Sequence, residues 1–203
     1  MKTRLFLTTM ACAFAAAANA NTITFGFLNH GHNVDLGSTF TFTQGGYSLT
    51  ATGFTTAGLP TDLYAKFASG NKHETGLGTA RGNDHEINST DFIQLTLPTT
   101  SSSFLKSIYL GSVQPGEMAR VYFTTTPGSL IGATLIGTMK GKDGSITIPN
   151  ADKHGYIDIV AASGNVLLHS AVIDTIPDAG ETLGLLGLAV TALGLLRWRL
   201  VRK

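Results

Sequence analysis

Asp84, Glu86 and Asn88 stand two residues apart in Gly82-Asn83-Asp84-His85-Glu86-Ile87-Asn88-Ser89-Thr90-Asp91, the strongest polar cluster of the chain. In an extended segment residues spaced by two share a face, which would align their oxygens, with Asp91 and Glu74 able to join them in the fold. A hard cation such as Ca²⁺ takes roughly six to eight oxygen ligands, and acid–amide loops at sandwich edges can supply them. Asp84, Glu86, Asn88 and Asp91 are therefore the candidate calcium ligands. The segment lacks the Gly and distal Glu of a helix–loop–helix calcium loop. A solvated loop whose Asp and Asn make local turn bonds accounts for the same residues, and both readings stand at this point. Asp84 and Glu86 also suit a glycosidase pair, which depends on a separation that sequence does not give.

Other chemistry is thinly represented. His30-Gly31-His32 can offer two imidazoles to a transition metal, but no third ligand lies nearby and an exposed turn explains it equally well. His73, His85, His154 and His169 are scattered singly. No Gly-x-Ser-x-Gly elbow occurs. His73-Glu74-Thr75-Gly76-Leu77 lacks the second His of a zinc protease helix, and Gly76-Leu77-Gly78-Thr79-Ala80-Arg81 lacks the third Gly of a dinucleotide fingerprint. The chain is expected not to be an enzyme, and to need no cofactor apart from calcium at the acid–amide loop.

The elements that must position these residues read as strands. Runs rich in β-branched and aromatic residues cover 22–27, 38–43, 47–52, 91–97, 104–110, 118–124, 133–138, 145–148, 156–160 and 166–173. In Asp91-Phe92-Ile93-Gln94-Leu95-Thr96-Leu97 the apolar Ile93, Leu95 and Leu97 fall on one face, and Phe40 and Phe42 alternate with Thr39, Thr41 and Thr43. Gln44-Gly45-Gly46, Gly141-Lys142-Asp143-Gly144 and Ser163-Gly164-Asn165 read as hairpin turns. No sustained 3.6-residue period, fixed repeat or internal linker interrupts the body. The expected fold is all-β, an antiparallel β-sandwich or jelly-roll-like body.

Of the 203 residues, those from Asn21 to Ile176 carry 8 Lys/Arg against 11 Asp/Glu, although the whole chain is formally +1. A net −3 body argues against a nucleic-acid partner. The missing positive charge sits at the two ends. Lys2 and Arg4 precede the apolar run 5–18, and Ala18-Asn19-Ala20 places small residues at the −3 and −1 positions of a cleavage site. Residues 1–20 are thus a signal peptide helix, cleaved after Ala20. Cys12, the single cysteine, is removed with it, so the mature chain has no disulfide. At the other end, 183–196 is free of charge, and Arg197, Arg199, Arg202 and Lys203 follow. Fourteen helical residues span roughly 21 Å, and extension to Val201 gives about 28 Å, close to the ~30 Å of a hydrocarbon core. One transmembrane helix with its basic end cytoplasmic leaves the body outside. The domains are 1–20, signal peptide; 21–175, exported sandwich; and 176–203, a C-terminal segment of motif, span and basic end.

Ile176-Pro177-Asp178-Ala179-Gly180, followed by Thr182-Leu183-Gly184-Leu185-Leu186-Gly187-Leu188 and the basic end, resembles the PEP-CTERM class of bacterial sorting signals. The resemblance is to the variant in which Val-Pro-Asp-Ser-Gly replaces Val-Pro-Glu-Pro, with Ile for Val and Ala for Ser. It implies recognition by an exosortase, a transient single-span stay in the inner membrane, and release or transfer to the cell surface. Such proteins are associated with Gram-negative bacteria that make extracellular polysaccharide. A second series, Asp62-Leu63-Tyr64-Ala65-Lys66, Glu74-Thr75-Gly76-Leu77-Gly78, Asp84-His85-Glu86-Ile87, Phe92-Ile93-Gln94-Leu95 and Gly111-Ser112-Val113-Gln114 with Gly116-Glu117, is similar to exported proteins bearing this tail. It implies a sandwich and supplies no catalytic residue. The resulting expectation is a surface or extracellular-matrix protein with a structural or adhesive role beside polysaccharide. The alternatives are a carbohydrate-binding module of the cell surface and a glycan hydrolase.

Overall fold

A computed structural model describes residues 21–27, 32–96, 103–149 and 155–175, with positions 193 and 197. The chain divides into Thr22–Asp174 and a second unit made of both ends, Met1–Asn21 with Thr175–Lys203. In the second unit Asn21 and Thr175 hydrogen-bond each other: Thr175 N donates to Asn21 O at 2.9 Å, and Asn21 N to Thr175 Oγ1 at 3.1 Å. The expected signal peptide and the sorting tail, Leu193 and Arg197 apart, lie outside the described residues. Among the described residues no helix is long and apolar enough to cross a membrane.

The first unit is built of strands. In chain order they are β1 (Thr22–Gly26), β2 (Val34–Gly37), β3 (Thr39–Gln44), β4 (Tyr47–Thr55), β5 (Leu63–Lys66), β6 (Gly76–Thr79) and β7 (Asp91–Thr96). There follow β8 (Ser103–Gly111), β9 (Met118–Thr124), β10 (Thr134–Lys140), β11 (Gly144–Thr147), β12 (Tyr156–Ser163) and β13 (Leu167–Thr175). A 3-10 turn, Lys72–Glu74, joins β5 to β6. One sheet runs β11-β8-β13-β6-β5-β2, with β1 also paired to β13, and the other runs β10-β9-β12-β7-β4-β3. The strands pair antiparallel.

One buried apolar cluster draws on both sheets, as a sandwich requires. Leu63, Leu77, Ile108, Leu168 and Ile173 come from the first sheet, and Leu49, Ile93, Leu95, Val121 and Ile159 from the second. Alternation explains the supply. In β4, Leu49, Ala51, Gly53 and Thr55 are buried while the residues between them are not, the period of two that a pleated strand imposes. On the outer face of β3 and β4 the hydroxyls of Thr39, Thr41 and Thr43 meet those of Thr52, Thr50 and Ser48 at 3.2, 2.9 and 3.4 Å.

Alternation fails at β7 and β12, for an identifiable reason. Phe92, Gln94 and Asp158 face away from the core cluster yet are buried. The segment 125–133 folds over them: Gly128 N donates to Gln94 Oε1 at 3.2 Å, and a Cβ on Gly128 would lie 2.8 Å from the Phe54 ring. The expected turns divide as well. Gly45 and Gly46, at φ +57 and +82, close the β3–β4 hairpin, the positive-φ pair that a two-residue turn favours. The other two predicted hairpins are corrected. Gly141-Lys142-Asp143-Gly144 leads from β10 in one sheet to β11 in the other, and Ser163-Gly164-Asn165 from β12 to β13, again between sheets. A glycine turn reverses the chain, but it does not decide whether the next strand pairs or crosses to the opposite layer.

Candidate functional site

Three chain segments bring one ammonium and two carboxylates together. β5 ends on Lys66, the 3-10 turn ends on Glu74, and the bends after β6 carry Glu86 inward. Asn71 opens the 3-10 turn by accepting the His73 amide at 3.1 Å, as N-cap residues do. Lys66 Nζ donates to Glu74 Oε2 at 3.1 Å and to Glu86 Oε1. Ser112, just past β8, donates its hydroxyl toward Glu74 Oε1 at 3.2 Å and Glu86 Oε2 at 3.0 Å. Gln114 Nε2 adds a bond to Glu74 Oε1 at 2.9 Å. Ser112 has φ +57, a left-handed conformation uncommon outside glycine and found where surroundings over-determine the backbone.

Burial divides the two carboxyls. Glu86 is 5% exposed and Glu74 22%. Burial, opposed by the Lys66 hydrogen bond, pushes the Glu86 carboxyl up to about 7. At Glu74 burial acts in the same direction, but hydrogen bonds with Glu86, Lys66 and Ser112 outweigh it and hold the group below its ordinary value. Burial opposes the Lys66 charge, yet its bonds to Glu86 and Glu74 raise it above the usual lysine value. The cluster therefore keeps its charge on Lys66 and Glu74 and takes up a proton at Glu86 first.

Glu74 and Ser112 form the floor of an open groove of about 600 Å³, with Asn71, His73, Tyr109, Val113, Gln114, Lys142 and Asp143 around it. His73 Nδ1 pairs with Asp143 Oδ2, and Asp143 Oδ1 accepts the Val113 amide at 2.9 Å. Tyr109 meets His169 edge-on, centroids 5.4 Å apart, while His169 Nδ1 contacts Thr75 O at 2.9 Å. The groove thus presents an aromatic ring, an exposed ammonium, amides and a carboxylate on a cross-braced base.

The acid–amide residues take separate positions. The segment bends rather than extends, so the shared face expected of Asp84, Glu86 and Asn88 does not form. Asp84 accepts from Asn165 at the surface, whereas Glu86 faces Lys66. Asn88 donates through its backbone and side chain to the two Asp91 oxygens, both at 2.9 Å. Asp91 is fully buried, and burial raises its carboxyl. Glu74 shares its partners with Glu86 rather than with Asp91. Among the described residues no group of three or more His, Cys, Asp or Glu is placed to hold a metal ion. His32 stacks on Phe67 at 4.0 Å, and His30 lies outside the described residues. So do Ala18, Ala20, Ile176, Pro177, Asp178, Ala179, Gly180, Arg199, Arg202 and Lys203; Arg197 is an exposed helical position.

Lys66, Ser112 and Gln114 stand in the series similar to exported tail-bearing proteins but were given no role from sequence, and the His73–Asp143 pair was not foreseen. The available signal was that Lys66, Glu74, Glu86, Ser112 and Gln114 all fall within that one series. No family model matches the chain, and no curated protein is similar to it. Among solved structures, the K2 cleaved adhesin domain of Lys-gingipain is similar over 80% of this chain and 93% of that chain, at 12% identity and a TM-score of 0.28. Likeness at that level says nothing of what the groove binds.

Proposed function

We propose that this chain is an exported surface or extracellular-matrix protein with a structural or adhesive role beside extracellular polysaccharide. The observation that carries the reading is the C-terminal order of Ile176-Pro177-Asp178-Ala179-Gly180, an uncharged apolar run and a basic end. Residues 1–20 export the chain, the tail holds it transiently in the inner membrane, and an exosortase takes the strip 177–180 in extended form. The two-sheet body is the cargo. A sandwich closed by short turns needs no cofactor to fold, and the mature body has no cysteine to protect. The groove favours a carbohydrate-binding module as the second reading, because Tyr109 and the surrounding amides and carboxylates suit hydroxyl-rich ligands. Hydrolysis has less support. A glycosidase sets its two carboxyls on either side of the scissile bond, whereas Glu74 and Glu86 bond each other directly and share Lys66 and Ser112, which leaves no room for a substrate bond between them.

In the native host, Pro177→Ala with Asp178→Ala should block processing and leave the protein in the membrane. Replacing Arg197, Arg199, Arg202 and Lys203 with Ser should disturb retention and processing together. Mass spectrometry of the exported protein reads both, with Asn21 as the expected first residue. An uncleaved tail persisting beside an active exosortase removes the sorting reading. Binding and hydrolysis of a polysaccharide panel by the exported protein separate adhesion, carbohydrate binding and catalysis.

A further inference from the structure

Asp158 lies at the centre of the outer face of the second sheet and is 0% exposed. Gln94 Nε2 donates to Asp158 Oδ1 at 2.7 Å, and Asp158 Oδ2 has no hydrogen-bond partner. Gln94 also accepts the Gly128 amide, so a single amide side chain links the carboxyl to the 125–133 segment above it. That segment contains no Asp, Glu, His, Lys or Arg. Gly128 and Gly132 sit at φ +67 and +74. Gly58 closes on Gly128 from β4's side, where a Cβ would lie 2.8 Å from the Gly128 oxygen. A buried carboxylate with an unmet oxygen is costly in its charged form, and here only a nine-residue loop separates it from water.

We propose that the 125–133 segment is a hinged cover, closed over the outer face of the second sheet while Asp158 is neutral and released when Asp158 ionises. The groups around the carboxyl are few. Gln94 of β7 and Tyr122 of β9 stand directly across from Asp158. Tyr156 and Val160 flank it on β12, and the exposed Arg120 faces Val160, one step along the face. Burial pushes the Asp158 carboxyl from 3.8 up to about 7, with only the Gln94 bond opposing. The closed form therefore holds the proton more tightly than the open one. Its advantage is complete below about 4, falls as pH rises toward 7, and is exhausted above 7, because the slope follows the difference in bound protons. Opening would uncover Phe54, Phe92, Gln94 and Asp158, a face of stacked rings and paired polar groups separate from the groove.

Hydrogen exchange of the 125–133 amides in the full chain, corrected for intrinsic exchange, tests this. Protection should fall by up to about tenfold per pH unit between pH 4.5 and 7 and level off above, the limit for one linked proton. Asp158→Asn should make the profile flat. A flat wild-type profile, or an unchanged slope in Asp158→Asn, overturns the proposal. Should Asp158→Asn fail to fold, Gly128→Ala offers an independent reading, since its Cβ forces the loop off Phe54. Its loop should exchange freely at every pH, and the Asp158 carboxyl, followed by ¹³C NMR, should titrate back toward 3.8. Titration near 7 beneath an opened loop would overturn the idea equally.

Discussion

Lys66→Met removes the ammonium that Glu74 and Glu86 share while keeping an apolar stem of similar length. Breaking a buried charged pair by deleting one partner costs about 3–5 kcal/mol. Glu86 is 5% exposed, but Glu74 and Lys66 are 22% and 20% exposed, so solvent screens part of the lost attraction. We expect about 3 kcal/mol at pH 8, the lower end of that range. For a domain of roughly 150 residues this lowers Tm by about 6–12 °C. Acid should repair the variant. Glu86 is already raised from 4.5 to about 7 in the intact cluster, and loss of the cation raises it further. At pH 5 Glu86 is then neutral and bonds Glu74 without a charge clash, leaving only the partly exposed Lys66–Glu74 attraction missing, about 1 kcal/mol. Urea unfolding followed by far-ultraviolet circular dichroism at the two pH values measures the difference. The double variant Lys66→Met/Glu86→Gln should recover at least half of the loss at pH 8. A deficit below 1 kcal/mol at pH 8, or one equal at pH 5 and pH 8, refutes the shared-cation account.

A Cβ on Gly78 would overlap the backbone carbonyl of His85, so Gly78→Ala should destabilise by about 2–3 kcal/mol in urea unfolding; a loss under 1 kcal/mol would mean that β6 yields easily. Millimolar calcium should leave the melting curve unchanged, because Asp84, Glu86, Asn88 and Asp91 serve separate partners. A rise abolished by Asp84→Ala with Glu86→Ala would instead support the calcium reading.

The long strands were legible because β-branched residues alternate with polar ones, and the ten expected runs all appear within a few residues of their predicted ends. Val34–Gly37, Leu63–Lys66 and Gly76–Thr79 were not. Each is four residues long, and β6 reads Gly-Leu-Gly-Thr, a composition without strand propensity. It is a strand because Gly78 lets the His85 backbone approach, a tertiary fact with no local signature. The site escaped for a related reason. Glu86 was marked for its spacing from Asp84, but spacing implies a shared face only if the backbone is extended, and 82–90 bends. Asp158 falls within the expected strand 156–160, and no local pattern announces that the 125–133 segment will cover it.

The position of β13 has a mechanical consequence. The chain leaves the body at residue 175, the end of a strand hydrogen-bonded to β8, to β6 and to β1. Thr22 to Gly26 of β1 pair with Asp174 to Ser170 of β13 in unbroken register. Tension entering at residue 175 and directed along β13 loads these ladder bonds in shear, together, instead of peeling them one by one. A body pulled from residue 175 would thus gain resistance from where its last strand sits. A sandwich with β13 at a sheet edge would unzip under a much smaller load.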